Sequence, residues 1–200
     1  AIFRTKSDTE VLLHGYVAWG ENMLPKLRGM FALAIWDNLK RRLLLARDPY
    51  GIKPLYVSDS GNTLRFASQV KALLAGGNVS RSPDSAGVVG FLMMGSVPEP
   101  YTVYKSIRAL PAGHFVYATE NGLGSPIKYF SIQETWREAS EQSVLYSAAD
   151  IQDEVASAVT DSVRHHMVAD VPVGAFLSAG IDSGAITGLM QQIGGAAVKG

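Results

Sequence analysis

The run Leu177-Ser178-Ala179-Gly180-Ile181-Asp182-Ser183 concentrates groups that could do chemistry. The apolar stretch Val173 to Leu177 precedes it and a helical pattern from Ala185 to Ile193 follows. The segment therefore reads as strand, small-residue loop, helix. That geometry points free backbone N–H groups and the positive end of a helix dipole at one spot. Phosphate groups bind there because their charge matches the donors. Small residues let the backbone come close, and the hydroxyls of Ser178 and Ser183 add contacts. Asp182 would repel a bare phosphate. It fits if a cation such as Mg2+ is shared, or if it caps the helix. The plainer alternative is a strand-to-helix turn in which Ser and Asp serve as caps, and local chemistry leaves both readings open.

Other reactive side chains carry less. His165-His166 fall on a predicted helix and read as part of a solvated face. His14 and His114 are isolated. Arg47-Asp48 lie in a turn, as a structural ion pair or as groups that order the loop. Phe31, Trp36, Tyr56 and Phe66 alternate along predicted strands, which argues core packing over a stacking platform.

Composition narrows the classes. The 200 residues carry 18 basic and 18 acidic side chains with no basic run, so nucleic-acid binding is not expected. No apolar run reaches the roughly 18 residues of a spanning helix, so no membrane partner is expected. The hydrophobic fraction of 47% is too high for a disordered chain. Cysteine is absent, which excludes disulfides, thiolate metal sites and a cysteine nucleophile within these residues. Its absence fits a reducing compartment.

The elements that must position these groups follow from patterning. Ser7-Asp8-Thr9-Glu10 fits a capping box, which predicts a helix from about Thr9 with Val11, Leu12, Tyr16 and Trp19 at helical spacing. Met30 to Trp36 and Arg42 to Arg47 read as strands joined by the turn Asp37 to Lys40. Asp48 to Gly51 turns again, Leu55 to Val57 and Thr63 to Ala67 are two more strands, and a helix spans Ser68 to Leu74. Residues 1–75 thus predict an antiparallel meander flanked by helices, half of a sandwich whose other sheet lies partly upstream. A helix is predicted from Ser82 to Met94, with Ser82 as cap and Pro83 in its first turn, and a strand from His114 to Ala118. Residues 131–149 show no clear period and read as a linker. Ile151, Val155, Val159, Val163 and Met167 then recur every four residues on an amphipathic helix. Helix, strand, loop, helix is how a parallel α/β sheet begins. The ends, Ala1-Ile2-Phe3-Arg4 and Ala196-Ala197-Val198-Lys199-Gly200, predict an internal piece of a longer protein.

At this point the chain resembles a known family. Ser178 to Ser183 is similar to the pyrophosphate-binding motif S-G-G-x-D-S of ATP pyrophosphatases, and the wider run Ala169 to Ser183 resembles glutamine-hydrolysing asparagine synthetases. Ser7-Asp8-Thr9-Glu10, Leu27-Arg28-Gly29-Met30-Phe31-Ala32 and Ala46 through Tyr56 are similar to that family's glutaminase domain. So are Phe66-Ala67-Ser68 with Lys71-Ala72-Leu73, and Leu110-Pro111-Ala112-Gly113-His114. The motifs cover nearly the whole chain in the family's order.

The resemblance implies an α+β fold, an N-terminal-nucleophile αββα sandwich truncated at its N-terminus, followed by the first elements of an α/β parallel-sheet ATP-pyrophosphatase domain. The implied domains are a partial glutaminase over 1–130, a linker over 131–149, and the start of the ATP-binding domain over 150–200. It implies that a cysteine upstream of this chain frees ammonia from glutamine, so no catalytic residue is expected within it. It implies that aspartate is activated by Mg-ATP as an acyl-adenylate, with ammonia arriving through an internal tunnel. Asp8 matches the aspartate that binds the glutamine α-ammonium, a fixed charge facing a substrate cation. Leu177, Ser178, Ala179, Gly180, Ile181, Asp182 and Ser183 match the ATP and pyrophosphate site, with Asp182 towards Mg2+. The implied substrates are glutamine, aspartate and ATP, and the implied location is the cytoplasm. A homodimer of the whole protein is left open.

Two positions depart from the family pattern. Ala179 stands where the family has Gly, and Gln69 where it usually has Glu. If position 179 needs a positive φ or close backbone contact with phosphate, the methyl group costs about 1–2 kcal/mol. Two other readings therefore stay beside the asparagine synthetase one. The chain could belong to a ligase that amidates another carboxylate, or to a non-catalytic nucleotide-binding homologue.

Overall fold

The computed structural model describes residues 2–141 and 146–194. The chain divides into two compact units, Ala1–Glu138 and Ala139–Gly200. No helix among the described residues is long and apolar enough to cross a membrane.

The first unit opens with helix α1 (Asp8–Trp19), capped by Ser7, whose hydroxyl accepts the N–H of Thr9. The expected capping box is only half made. Glu10 does not return to Ser7 but reaches further back, to Arg4 and Thr5. Gly20, at φ 58°, stops the helix and donates its N–H to Tyr16 O. A 3-10 helix (Gly20–Lys26) follows and buries Met23 and Leu24.

Strands β1 (Ala32–Asp37) and β2 (Arg42–Arg47) form the expected hairpin, with Leu33 opposite Ala46 and Ile35 opposite Leu44. Asp37 closes its turn by accepting the N–H groups of Leu39 and Lys40. The chain then leaves this sheet. Strands β3 (Tyr56–Asp59) and β4 (Leu64–Ala67) pair with each other and not with β2. Later strands complete both layers: β5 (Arg108–Ala109), β6 (His114–Thr119), β7 (Gly122–Leu123) and β8 (Ile127–Lys128). Among the described residues the sheets are β1-β2-β6-β7, with β8 also on β6, and β4-β3-β5. The single meander expected for residues 1–75 is therefore corrected to two hairpins in two antiparallel sheets.

The reason lies in β2. Leu43, Leu44, Leu45 and Ala46 are apolar on both faces, so the strand must be covered twice. Leu44 and Ala46 pack with Met23, Leu24, Leu33, Ile35 and Phe115, under Leu12 and Tyr16 of α1. Leu45 packs with Leu55, Val57, Leu110 and Val116 against the second sheet. One β2 face thus meets helix and the other meets sheet. Each fully buried leucine contributes roughly 1.5–3 kcal/mol.

Helix α2 (Val70–Ala75) follows β4, and helix α3 (Ser85–Met94) starts three residues later than expected. Its cap is Asp84, whose carboxylate accepts Ala86 N–H at 2.9 Å and meets the Arg108 guanidinium at 2.7 Å. Ser82 and Pro83 cannot be helical because the backbone there pairs with residues 103–105: Asp84 N–H reaches Val103 O, and Lys105 N–H reaches Ser82 O.

The segment read as a linker contains helix α4 (Ile132–Glu141). Ser131 starts it by accepting Glu134 N–H, and Glu134 pairs with Lys128. Residues 142–145 of that segment, and the terminal 195–200, lie outside the described residues.

The second unit holds α5 (Ala148–His166) and α6 (Ile181–Gly194). A full capping box between Ser147 and Asp150 starts α5. The short strand expected over 173–177 is not formed, and Gly174 makes a single bridge. The described residues of this unit contain no strand. The parallel α/β start expected here is therefore present as two helices and the loop between them.

Candidate functional site

Two candidate sites lie in separate units. In the first, Asp8 is the first residue of α1 and is exposed. Its Oδ1 lies 3.4 Å from the hydroxyls of Ser7 and Thr9, contacts at the weak end of hydrogen bonding. A carboxylate has about four acceptor positions, so most of its capacity faces outward.

The segment leading to Asp8 is held by Glu10. Its Oε1 accepts the N–H of Arg4 at 2.8 Å, and its Oε2 accepts both the N–H and the hydroxyl of Thr5 at 2.6 Å. The Thr5 hydroxyl, the Arg4 N–H, the Thr5 N–H and nearby His14 pull the Glu10 carboxyl down to about 2, against the opposing effect of partial burial. The imidazole of His14 lies 3.7 Å from Oε1 and stacks edge-on against Phe3 at 5.0 Å. The S-x-x-E pattern pointed to Glu10, but sequence reasoning turned it towards Ser7 and missed Thr5.

Behind this segment in the sequence, Arg47 and Asp48 build the loop after β2. They do not pair with each other. Arg47 is 4% exposed and donates to Lys53 O, Leu110 O, Gly51 O and Glu99 Oε1 at 2.7–2.8 Å. Asp48 is fully buried and accepts the N–H groups of Tyr50, Ile52 and Lys53. Both side chains order the loop, and sequence reasoning gave no sign of Glu99.

The second unit carries the loop from Leu177 to Ser183. Ser178 and Ser183 hydroxyls lie 2.7 Å apart, Ser178 Oγ accepts Gly180 N–H, and Ser183 Oγ donates to the carbonyls of Ser178 and Gly180. The first helical turn is set by Gly184 N–H on Gly180 O at 3.1 Å. The N–H groups of Ile181, Asp182 and Ser183 precede that bond and have no acceptor within the helix. Ala179 and Gly180 are both outside the positive-φ region, so the backbone does not require glycine at 179.

Beside the loop lies an open cleft of about 540 Å3, walled by Val163, Met167, Phe176 and Met190. Asp182 and Ser183 reach it, as does His166, which is exposed, as expected of a solvated face. Leu177, Ser178, Ala179, Gly180 and Ile181 are exposed and do not line it. Among the described residues no group of three or more histidines and carboxylates could hold a metal ion. Asp182 could still supply one ligand, the number a phosphate-bound Mg2+ takes from protein in many sites.

Residues 1–130 match the glutamine amidotransferase domain family, and residues 154–199 match the asparagine synthase family. A putative glutamine-hydrolyzing asparagine synthetase of Mycobacterium tuberculosis H37Rv is 38% identical over 94% of this chain. Asparagine synthetase [glutamine-hydrolyzing] 3 of Bacillus subtilis 168 is 36% identical over 94% of it. The chain spans 29% of the length of each. Among solved structures, a glutamine phosphoribosylpyrophosphate amidotransferase from B. subtilis is 24% identical, with a TM-score of 0.44, over 66% of this chain and 24% of that one. With the first match covering everything from the Asp8 helix through both sheets, the chain belongs to the glutamine amidotransferase family, and an asparagine synthase segment follows in the same chain.

Proposed function

We propose that this chain is part of a glutamine-dependent asparagine synthetase, which amidates aspartate at the expense of ATP. The observation that carries the reading is the order of the two family matches, amidotransferase first and synthase second, in one chain. On this reading the first unit belongs to an N-terminal-nucleophile αββα sandwich, and the second to an ATP-pyrophosphatase domain. The layering of helix, sheet and sheet around β2 supports the first assignment.

The roles follow from chemistry. Asp8 holds the α-ammonium of glutamine, with its carboxylate turned outward from α1. No cysteine is present among these 200 residues, so on this reading the nucleophile is not supplied by them. Hydrolysis of the side-chain amide gives glutamate and ammonia. In the second unit, Ser178, Gly180 and Ser183 cradle the pyrophosphate with the first N–H groups of α6, where the helix dipole favours negative charge. The Ser178–Ser183 hydroxyl pair must open to admit it, and the Leu177 backbone lies against the nucleotide. Asp182 would supply a ligand to Mg2+, which when bound would neutralise charge on the departing pyrophosphate. The aspartate β-carboxylate attacks the α-phosphorus of ATP to give an acyl-adenylate and pyrophosphate. Ammonia then displaces AMP and gives asparagine.

Aspartate-dependent exchange of pyrophosphate into ATP by the whole protein tests the reading. Exchange that needs aspartate is the expected result. Exchange driven by a different carboxylate would replace the acceptor, and no exchange with any carboxylate would leave a non-catalytic homologue as the better account.

A further inference from the structure

Glu10 stands where a capping box would return its carboxylate to the Ser7 N–H. That N–H is taken by the Thr5 hydroxyl oxygen at 3.2 Å, and Glu10 holds Thr5 instead. The reciprocal cap is thus lengthened by one relay residue. Glu10 Oε2 fixes the Thr5 hydroxyl and its N–H, the Thr5 oxygen fixes Ser7, and Ser7 Oγ touches Asp8 Oδ1. A second tie runs beside it, from Phe3 to His14 and from His14 to Glu10. Apart from this carboxylate, the residues leading to Asp8 are exposed. They have little packing of their own to hold them.

We infer that Glu10 is a positioning residue for the glutamine site, acting through Thr5 and Ser7 to set the orientation of the Asp8 carboxylate. The inference rests on the reading of Asp8 as the ligand of the glutamine α-ammonium. Glu10 itself touches backbone and Thr5 and does not meet substrate. Its effect is on where Asp8 points, so it changes capture of glutamine and not the chemistry on the amide. A misplaced charge near a substrate cation weakens binding steeply, because the ion pair is directional when charge-assisted.

The test uses the whole protein, with glutamine-dependent and ammonia-dependent asparagine formation measured in parallel. Glu10→Ala is expected to raise the KM for glutamine roughly tenfold with kcat within about twofold, and to leave the ammonia-dependent rate unchanged. Thr5→Val removes the relay hydroxyl and is expected to move KM the same way, while Thr5→Ser restores it. Glu10→Gln keeps one acceptor oxygen and should fall between. Asp8→Asn is the reference for the underlying reading and should raise KM further still. If Asp8→Asn raises KM while Thr5→Val and Glu10→Ala do not, the relay is wrong and the ligand role of Asp8 stands. If Asp8→Asn leaves KM unchanged, the ligand role fails and the relay with it. Equal losses of both activities in Thr5→Val and Glu10→Ala would mark a general folding role and overturn the inference.

Discussion

Arg47 and Glu99 lie 52 positions apart in sequence, yet Arg47 Nη1 donates to Glu99 Oε1 at 2.8 Å. The bond joins the end of β2 to the segment that precedes β5. The two partners are unequally placed: the Arg47 side chain is 5% exposed and that of Glu99 is 48% exposed. The guanidinium also satisfies three backbone carbonyls, so it is the group on which the loop depends.

Arg47→Ala is therefore expected to destabilise the first unit by about 3–5 kcal/mol, since it strands the carbonyls of Lys53, Leu110 and Gly51. Arg47→Lys should recover little, because one ammonium cannot reproduce the planar fork. Glu99→Gln should cost about 1 kcal/mol or less, as a half-exposed pair is screened by solvent. The urea midpoint followed by tryptophan fluorescence reads all three. A Glu99→Gln loss as large as that of Arg47→Ala would show that the ion pair, not the carbonyl contacts, holds the loop.

Much of this fold was legible in residues with local causes. The β1–β2 hairpin, the Ser7 cap and the α5 stripe all rest on neighbours within a few positions. What was not legible depends on distant partners. The pairing of β2 with β6 depends on which strand can extend the same two-sided apolar layer, and that strand lies some seventy residues on. Asp84 replaces Ser82 as the α3 cap because residues 103–105 claim the backbone at Ser82 and Asp84. The same divide runs through the candidate sites. The types and spacing of Asp8 and of Ser178 to Ser183 were readable, whereas the grip of Glu10 on Thr5 and the placing of His166 beside the cleft depend on how the chain folds.

Gly87 is required by close approach and not by its backbone angle. A Cβ built there would lie 2.1 Å from Thr102 O, a fixed backbone atom. Gly87→Ala should push α3 off the Thr102 segment and destabilise by about 1–3 kcal/mol. Gly188 on α6 has nothing within 4 Å, so Gly188→Ala should be neutral or stabilise by up to about 1 kcal/mol. Thermal unfolding of the two variants makes the comparison, and an unchanged midpoint for Gly87→Ala would contradict the packing described for α3.

The Glu10 clasp sets a pH window. Its folded pKa, about 2, lies below the ordinary value of 4.5. Its contribution is therefore complete above about 4.5 and is lost as pH falls towards 2, when the carboxyl is protonated and accepts less well. Amide exchange at Arg4 and Thr5 should accelerate across that interval relative to the amides of β2. Glu10→Gln should abolish the interval and exchange at one elevated level throughout. Protection at Arg4 and Thr5 that ignores pH in the unaltered protein would remove the carboxylate from the account.

Ala179 raises the question of whether the proposed phosphate loop lacks a glycine it needs. The conformation answers part of it. The described non-glycine residues with positive φ are Arg41 and Asn78, so Ala179 sits in ordinary backbone space and carries no left-handed strain. Restoring glycine then relieves nothing in the backbone. It adds conformational freedom to a loop that Ser178 and Ser183 hold closed, at a cost of about 0.5–1 kcal/mol. Ala179→Gly is thus expected to leave the KM for ATP in pyrophosphate exchange unchanged or slightly raised. A gain of roughly tenfold, about 1.4 kcal/mol, would show instead that the methyl group stands where the phosphate must come. The loop would then have to change shape on binding, and the hydroxyl pair between Ser178 and Ser183 would be the first contact to break.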